Sequence, residues 1–265
     1  MRPLLIIHHF YNEADVLLPF WLKHHKDKAD KIILINYAST DNSVELCREL
    51  LPEAEIRSSR NEQFSAPGCD AEVMDIEREY PDWWKVALNT TEHIFHPNPK
   101  EWLEEVEKNH PDIPAVGVQS VVMCDLPEQW NLPVDFDTPL YEQRHFGYRD
   151  TAGYEEQERR PRYFHRSHCG NYDTGRHRVH IPSVYCSQPS DPFLVWWGFS
   201  PYPQIENRKL QIQHRLPEGE RHMFAFGHRI DRDGFENRVR DHATRSYDLW
   251  EQDWYMNALS KMRGE

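Results

Sequence analysis

The chain has 265 residues with a formal charge of −13, which argues against a general nucleic-acid binder because neutralising phosphates needs an excess of Lys and Arg. A hydrophobic content of 38% with 12% aromatics excludes a disordered chain and suffices for a packed core. The five cysteines are odd in number and contain no CxxC pair, so they read as reduced thiols rather than as a disulfide framework.

Leu4-Leu5-Ile6-Ile7 fits a strand buried on both faces, and it runs into the polar cluster His8-His9-Phe10-Tyr11-Asn12-Glu13. The run is too short for a signal h-region or a membrane span, so the expected location is the cytoplasm or the inner face of a membrane as a peripheral protein. Leu17, Leu18, Trp21 and Leu22 recur at helical spacing, and the basic stretch from Lys23 to Lys28 falls where a helix C-terminus favours cations. Lys31 to Asn36 is a second buried strand, followed by the turn Ser39-Thr40-Asp41-Asn42 and a helix from Ser43 to Leu51. Glu55-Ile56-Arg57 reads as an edge strand, Asp70 to Tyr80 as a helix, and Trp84 to Leu88 as a strand that delivers Asn89-Thr90-Thr91-Glu92 at its end.

An acidic amphipathic helix is expected from Pro97 to Asn109, then one β-like run from Ala115 to Met123. Beyond Asp125 the pattern turns irregular, with Pro127, Pro133 and Pro139, until a terminal helix from Leu249 to Met262. Arg144, Arg149, Arg159, Arg160, Arg162, Arg166, Arg176 and Arg178 crowd this half. They form either a basic surface for a phosphate-bearing ligand or a solvated stretch balanced by Glu155, Glu156 and Glu158.

Strand, helix, strand, helix is the pattern of an α/β fold with a mostly parallel sheet flanked by helices. We read one domain over 1–265, with a ligand-binding half at 1–125 and an irregular half at 126–265 packed onto it. In such sheets the ligand crevice lies beyond the strand C-termini, where three polar clusters fall, those around Asn12, Asp41 and Asn89.

The order Tyr11-Asn12-Glu13, helix with His24-His25, strand, Ser39-Thr40-Asp41-Asn42-Ser43 resembles family-2-type glycosyltransferases of the GT-A fold, over roughly residues 4 to 125. The resemblance implies a Rossmann-like sheet with an acceptor-side region and transfer of a sugar from a nucleotide-sugar donor, most readily a UDP-sugar, to a hydroxyl acceptor. Assembly of a polysaccharide or glycoconjugate would be the setting. It also implies a divalent cation, Mn²⁺ or Mg²⁺, on a DxD element. The matching positions here are Asn89-Thr90-Thr91-Glu92, without either aspartate, and an amide or hydroxyl oxygen is a poorer ligand for a hard cation. A sugar-nucleotide- or glycan-binding protein that has lost catalysis is therefore the alternative. A metallohydrolase ranks last, since the sixteen histidines show no HExxH or comparable spacing.

His9, Tyr11, Asn12, Glu13, Asn36, Asp41, Asp70, Asn89, Thr91, Arg208 and Lys209 are the expected nucleotide-sugar contacts. Adjacent strand residues face opposite sides, so only one of His8 and His9 is expected at the crevice. Glu13 has the alternative of a first-turn helix residue, and Asp41 and Asp70 that of helix caps. Arg208 and Lys209 suit a departing diphosphate, the more so if metal is weak or absent. Glu92 and His228 are the metal candidates, while Asp125, Asp173 and His177 are candidates for the base that takes the acceptor proton. Trp196-Trp197 reads either as a platform for a sugar face or as a buried pair.

Overall fold

The computed structural model describes residues 2–149, 161–182, 184–186, 192–214 and 231–265. The first half alternates as expected, with one strand, β5, that the sequence reading did not include: β1 (Leu4–Phe10), α1 (Leu18–His25), β2 (Lys31–Asn36), α2 (Ser43–Leu50), β3 (Glu55–Ser58), α3 (Ala66–Arg78), β4 (Trp84–Asn89), β5 (Glu92–Phe95) and α4 (Pro99–Asn109). Then come β6 (Ala115–Val118), β7 (Ser120–Cys124), β8 (Phe146–Arg149), β9 (Arg162–His165), β10 (Val184–Cys186), β11 (Phe193–Phe199), α5 (Gln204–His214), α6 (Arg232–Arg245), β12 (Tyr247–Asp248) and α7 (Asp253–Arg263).

Two sheets result. The larger has the order β10-β6-β9-β4-β1-β2-β3 and is parallel throughout except where β9 runs antiparallel between β6 and β4. The smaller, β12-β8-β7-β11-β5, is antiparallel except between β7 and β11. Alternation along β1 sorts the core: Leu4 and Ile6 face α1, α2 and α4 through Trp21, Cys47 and Trp102, while Leu5 and Ile7 face Val73 and Ile76 of α3. The larger sheet is thereby covered on both sides, as a parallel sheet requires.

Four expectations need correction. The run from Ala115 to Met123 is not one strand: it divides at the exposed Gln119 into β6 and β7, which belong to different sheets. α3 starts at Ala66 rather than Asp70, because Ser65 accepts the Gly68 amide at 3.1 Å and Pro67 presets the first turn. The terminal helix begins at Asp253, after a short 3₁₀ turn at Leu249–Glu251. The supposedly irregular half supplies strands to both sheets.

The four cysteines whose side chains are described, Cys47, Cys69, Cys124 and Cys169, are free thiols. Among the described residues no helix is long and apolar enough to cross a membrane.

Candidate functional site

A cavity of about 320 Å³ opens at the C-terminal ends of β1 and β4, and ten of the proposed site residues line it. They are His9, Tyr11 and Glu13 after β1; Asp70 on α3; Asn89, Thr91 and Glu92 between β4 and β5; His177; and Arg208 and Lys209 on α5.

The floor is a closed ring of hydrogen bonds. Arg162, the first residue of β9, donates Nε and Nη2 to the two oxygens of Glu92 at 2.7 Å each. The Asn89 amide donates to Glu92 Oε2 at 2.7 Å, and the Asn89 side-chain oxygen accepts from Arg176 Nη2 at 2.9 Å. Arg176 Nη1 reaches Asp70 Oδ1 at 2.6 Å, the Gly175 amide reaches Asp70 Oδ2 at 2.8 Å, and the Gly175 carbonyl accepts from Arg162 Nη1 at 2.8 Å. The loop can present its amide and carbonyl inward because Gly175 and Arg176 both take positive φ, +88° and +62°. Burial would push the Arg176 guanidinium down, but Asp70, with further help from Cys69, Glu92 and Tyr172, raises its affinity for the proton.

Above the ring, Arg208 Nη2 meets Glu13 Oε1 at 3.0 Å. Further buried polar atoms on lining residues have no hydrogen-bond partner, among them His9 Nε2, Glu13 Oε2, Arg176 Nε and Arg208 Nε. An unsatisfied buried polar group costs about 1–3 kcal/mol, so a ligand offering acceptors to the guanidinium groups and a donor to the carboxylate would recover that cost. His9 turns to the cavity while His8 is fully buried, stacked on Trp21 with ring centroids 4.0 Å apart. Burial lowers the His9 pKa, against the opposing pull of Glu72. Burial pushes the Glu72 carboxyl up, but His9, the Arg60 amide and the Ser59 hydroxyl together hold it at about 2.

Other proposed residues lie elsewhere. Asn12, Asn36 and Asp41 do not line the cavity; they knit the loops after β1 and β2 together. Asn12 Oδ1 accepts the Thr40 amide, Asn36 Oδ1 the Ser39 amide, and Asp41 the Ser43 and Ala14 amides. Glu13 precedes α1 instead of occupying its first turn, and Ser43 Oγ accepts its amide at 2.9 Å. Asp70 lies past the first turn of α3, so it is not the cap. Asp125 is buried away from the cavity, with its oxygens taken by the Ser200 hydroxyl at 2.5 Å and the Tyr202 amide at 2.8 Å, and Arg144 nearby. That setting holds β7 to the segment after β11, out of reach of a ligand in the cavity. Asp173 pairs with His180 at 2.6 Å and supports the Gly175 turn from outside. His228 lies outside the described residues. Trp196 lines the cavity and donates to Thr91 Oγ1 at 3.2 Å, whereas Trp197 is core.

Among the described residues, those lining the cavity do not suit the divalent cation implied by the sequence resemblance. Glu92 accepts two guanidinium N–H groups and the Asn89 amide, with Asn89 Nδ2 at 3.5 Å, so its lone pairs are spent on donors. Both Asp70 oxygens are likewise engaged. Among the described residues no group of three or more His, Cys, Asp or Glu side chains is arranged to hold a metal ion.

Within the basic stretch Arg144, Arg162 and Arg176 are buried and pair with internal carboxylates, Arg178 is exposed, and Arg159, Arg160, Glu155, Glu156 and Glu158 lie outside the described residues. Arg162 was visible only as one arginine of a cluster, and nothing local ties it to Glu92. Tyr37, Phe64 and Thr174 also line the cavity, and no motif singles them out.

No family model and no curated protein matches the chain. Solved structures do. Glucosyl-3-phosphoglycerate synthase from Mycobacterium tuberculosis, in complex with phosphoglyceric acid, is 18% identical over 46% of this chain and 44% of its own, with a TM-score of 0.32. Residues 1–349 of TarS from S. aureus with UDP are 12% identical over 50% of this chain and 38% of theirs, with a TM-score of 0.31. A second structure of the same TarS portion aligns with 98% of this chain and 80% of its own at 9% identity and a TM-score of 0.41. The chain thus spans less than half the length of the first two. The functional reading rests on the cavity.

Proposed function

We propose that the cavity binds a nucleotide-sugar donor, a UDP-sugar first among them, and that the protein transfers the sugar to a hydroxyl acceptor in the assembly of a polysaccharide or glycoconjugate. One observation carries this: at the C-terminal edge of a parallel sheet, Arg176, Arg208 and Glu13 line one cavity, and each carries a buried polar atom without a hydrogen-bond partner. A diphosphate supplies the acceptors, and a ribose or sugar hydroxyl or a uracil N–H supplies the donor. The GT-A-type resemblance of residues 4 to 125 points to the same ligand class.

In the reaction, an acceptor oxygen attacks the anomeric carbon, the bond from that carbon to the diphosphate breaks with its electron pair going to the leaving group, and the acceptor proton passes to a base. Of the three base candidates only His177 lines the cavity, so we assign the proton to its imidazole. Arg208 and Lys209, on adjacent positions of α5, face the leaving charge as preorganised cations.

The test is a thermal-shift panel of sugar nucleotides followed by donor-turnover assays with glycan acceptors. UDP-sugars should raise the melting temperature, and His177→Gln should lower turnover roughly 10²-fold or more while leaving donor affinity within about threefold. Binding with no turnover on any acceptor would favour the non-catalytic sugar-nucleotide-binding alternative. No shift with any nucleotide diphosphate would end the reading.

A further inference from the structure

We propose that the donor diphosphate is held here without a divalent cation, its charge met by Arg176, Arg208 and Lys209. This rests on the nucleotide-sugar reading of the cavity and adds the means by which the leaving group is neutralised.

The argument begins with Glu92, the one carboxylate at the position where the resemblance expects a cation ligand. It is about 1% exposed, as is Arg162, and their two parallel bonds of 2.7 Å form a bidentate ion pair. A cation approaching either oxygen meets a guanidinium already seated there. Displacing it would break a buried pair and strand the guanidinium charge. Asp70 accepts one bond on each oxygen, from Arg176 and the Gly175 amide, and Asn89 has its side-chain oxygen turned to Arg176. Thus each oxygen that would hold a hard cation on the cavity floor already accepts from an internal donor.

Three cations, Arg176, Arg208 and Lys209, line the cavity with three carboxylates, Glu13, Asp70 and Glu92, and two of those carboxylates, Asp70 and Glu92, already accept from internal guanidinium groups. The Nε–H groups of Arg176 and Arg208 have no acceptor. Diphosphate oxygens are acceptors of the right charge, and hydrogen bonds between charged partners are the stronger kind. The ring therefore occupies the floor carboxylates with internal donors and fixes Arg176 in the cavity wall.

Titration calorimetry on the full chain tests this with UDP and uridine as probes, each in EDTA and again in excess Mn²⁺. In EDTA, UDP should bind roughly tenfold or more tighter than uridine, and Mn²⁺ should change the UDP affinity by less than about threefold. Lys209→Met should shrink the UDP-to-uridine ratio and leave uridine binding unchanged; an unchanged ratio would remove Lys209 from the assignment. If UDP binds only with Mn²⁺, or roughly tenfold tighter with it, the metal-free site is overturned and the nucleotide-sugar reading survives. If neither probe binds under either condition, the underlying reading itself is wrong.

Discussion

Arg162 and Glu92 are 70 positions apart, and burial makes each depend on the other. Arg162→Ala leaves the Glu92 carboxylate, about 1% exposed, with the Asn89 amide as its sole strong donor. We expect a loss of about 3–5 kcal/mol, measured by urea denaturation. Arg162→Lys keeps the charge but not the planar fork and should lose less. Combining Arg162→Met with Glu92→Gln should recover part of the loss, because no charge is then stranded; strictly additive effects would show that the pair is not coupled. The residue types at this site were legible in the chain, and the pairings were not. Glu92 stood out as the surviving acid of a degenerate metal element, but what it holds depends on a partner from β9. Likewise Asn12 and Asp41 sat at the right strand ends, yet their short polar side chains satisfy loop amides first.

At the scale of elements, α1 and β5 meet through His24, His25 and His93, whose ring centroids lie 4.8 to 5.6 Å apart. His25 donates Nδ1–H to the Trp21 carbonyl and accepts the Ile94 amide on Nε2, an arrangement open only to a neutral ring. Burial lowers the pKa of all three, His93 to about 3, and neighbouring imidazoles together with the Lys28 ammonium add to the effect on His24 and His25. A histidine pKa depressed in the folded state means that the unfolded chain binds the proton more tightly. The stability this cluster contributes is therefore present above the unfolded value near 6.5 and is lost as pH falls below it. Each such imidazole adds a slope of about 1.4 kcal/mol per pH unit in that window. Urea midpoints measured between pH 7 and 5 should fall steeply, and His93→Gln should flatten the curve by one such share. Equal slopes for the two proteins would show that His93 is not buried neutral. Glu72, held at about 2, enters only below its ordinary range near 4.3, so the two effects separate in pH.

The elements of the first half were legible because β1, β2 and β4 are unbroken apolar runs and the helices between them repeat at helical spacing. The strands of the second half escaped for physical reasons. β8 and β9 have four residues each, too few to show a period, and all seven residues of β11 are buried, so no alternation marks it. Their partners are also remote, since β5 pairs with β11 about a hundred residues later.

For the whole molecule, we propose that residues 1–265 form one domain, although the chain divides naturally at 125/126 when read in order. β9 from the second half lies between β4 and β6 of the first, so removing it would expose two strand edges inside the larger sheet. β5 from the first half closes the smaller sheet against β11, and the ring on the cavity floor joins Asp70, Asn89 and Glu92 to Arg162 and Arg176 across the same divide. Neither half can keep its sheet or satisfy its buried charges alone. Trp21, Trp84 and Trp102 lie in the core of the larger sheet, and Trp196 and Trp197 in that of the smaller, so tryptophan emission samples both. Unfolding followed by emission and by far-ultraviolet circular dichroism should give one coincident transition in urea. Two separated transitions would instead mean that the cores unfold independently and that the site lies across a boundary able to open.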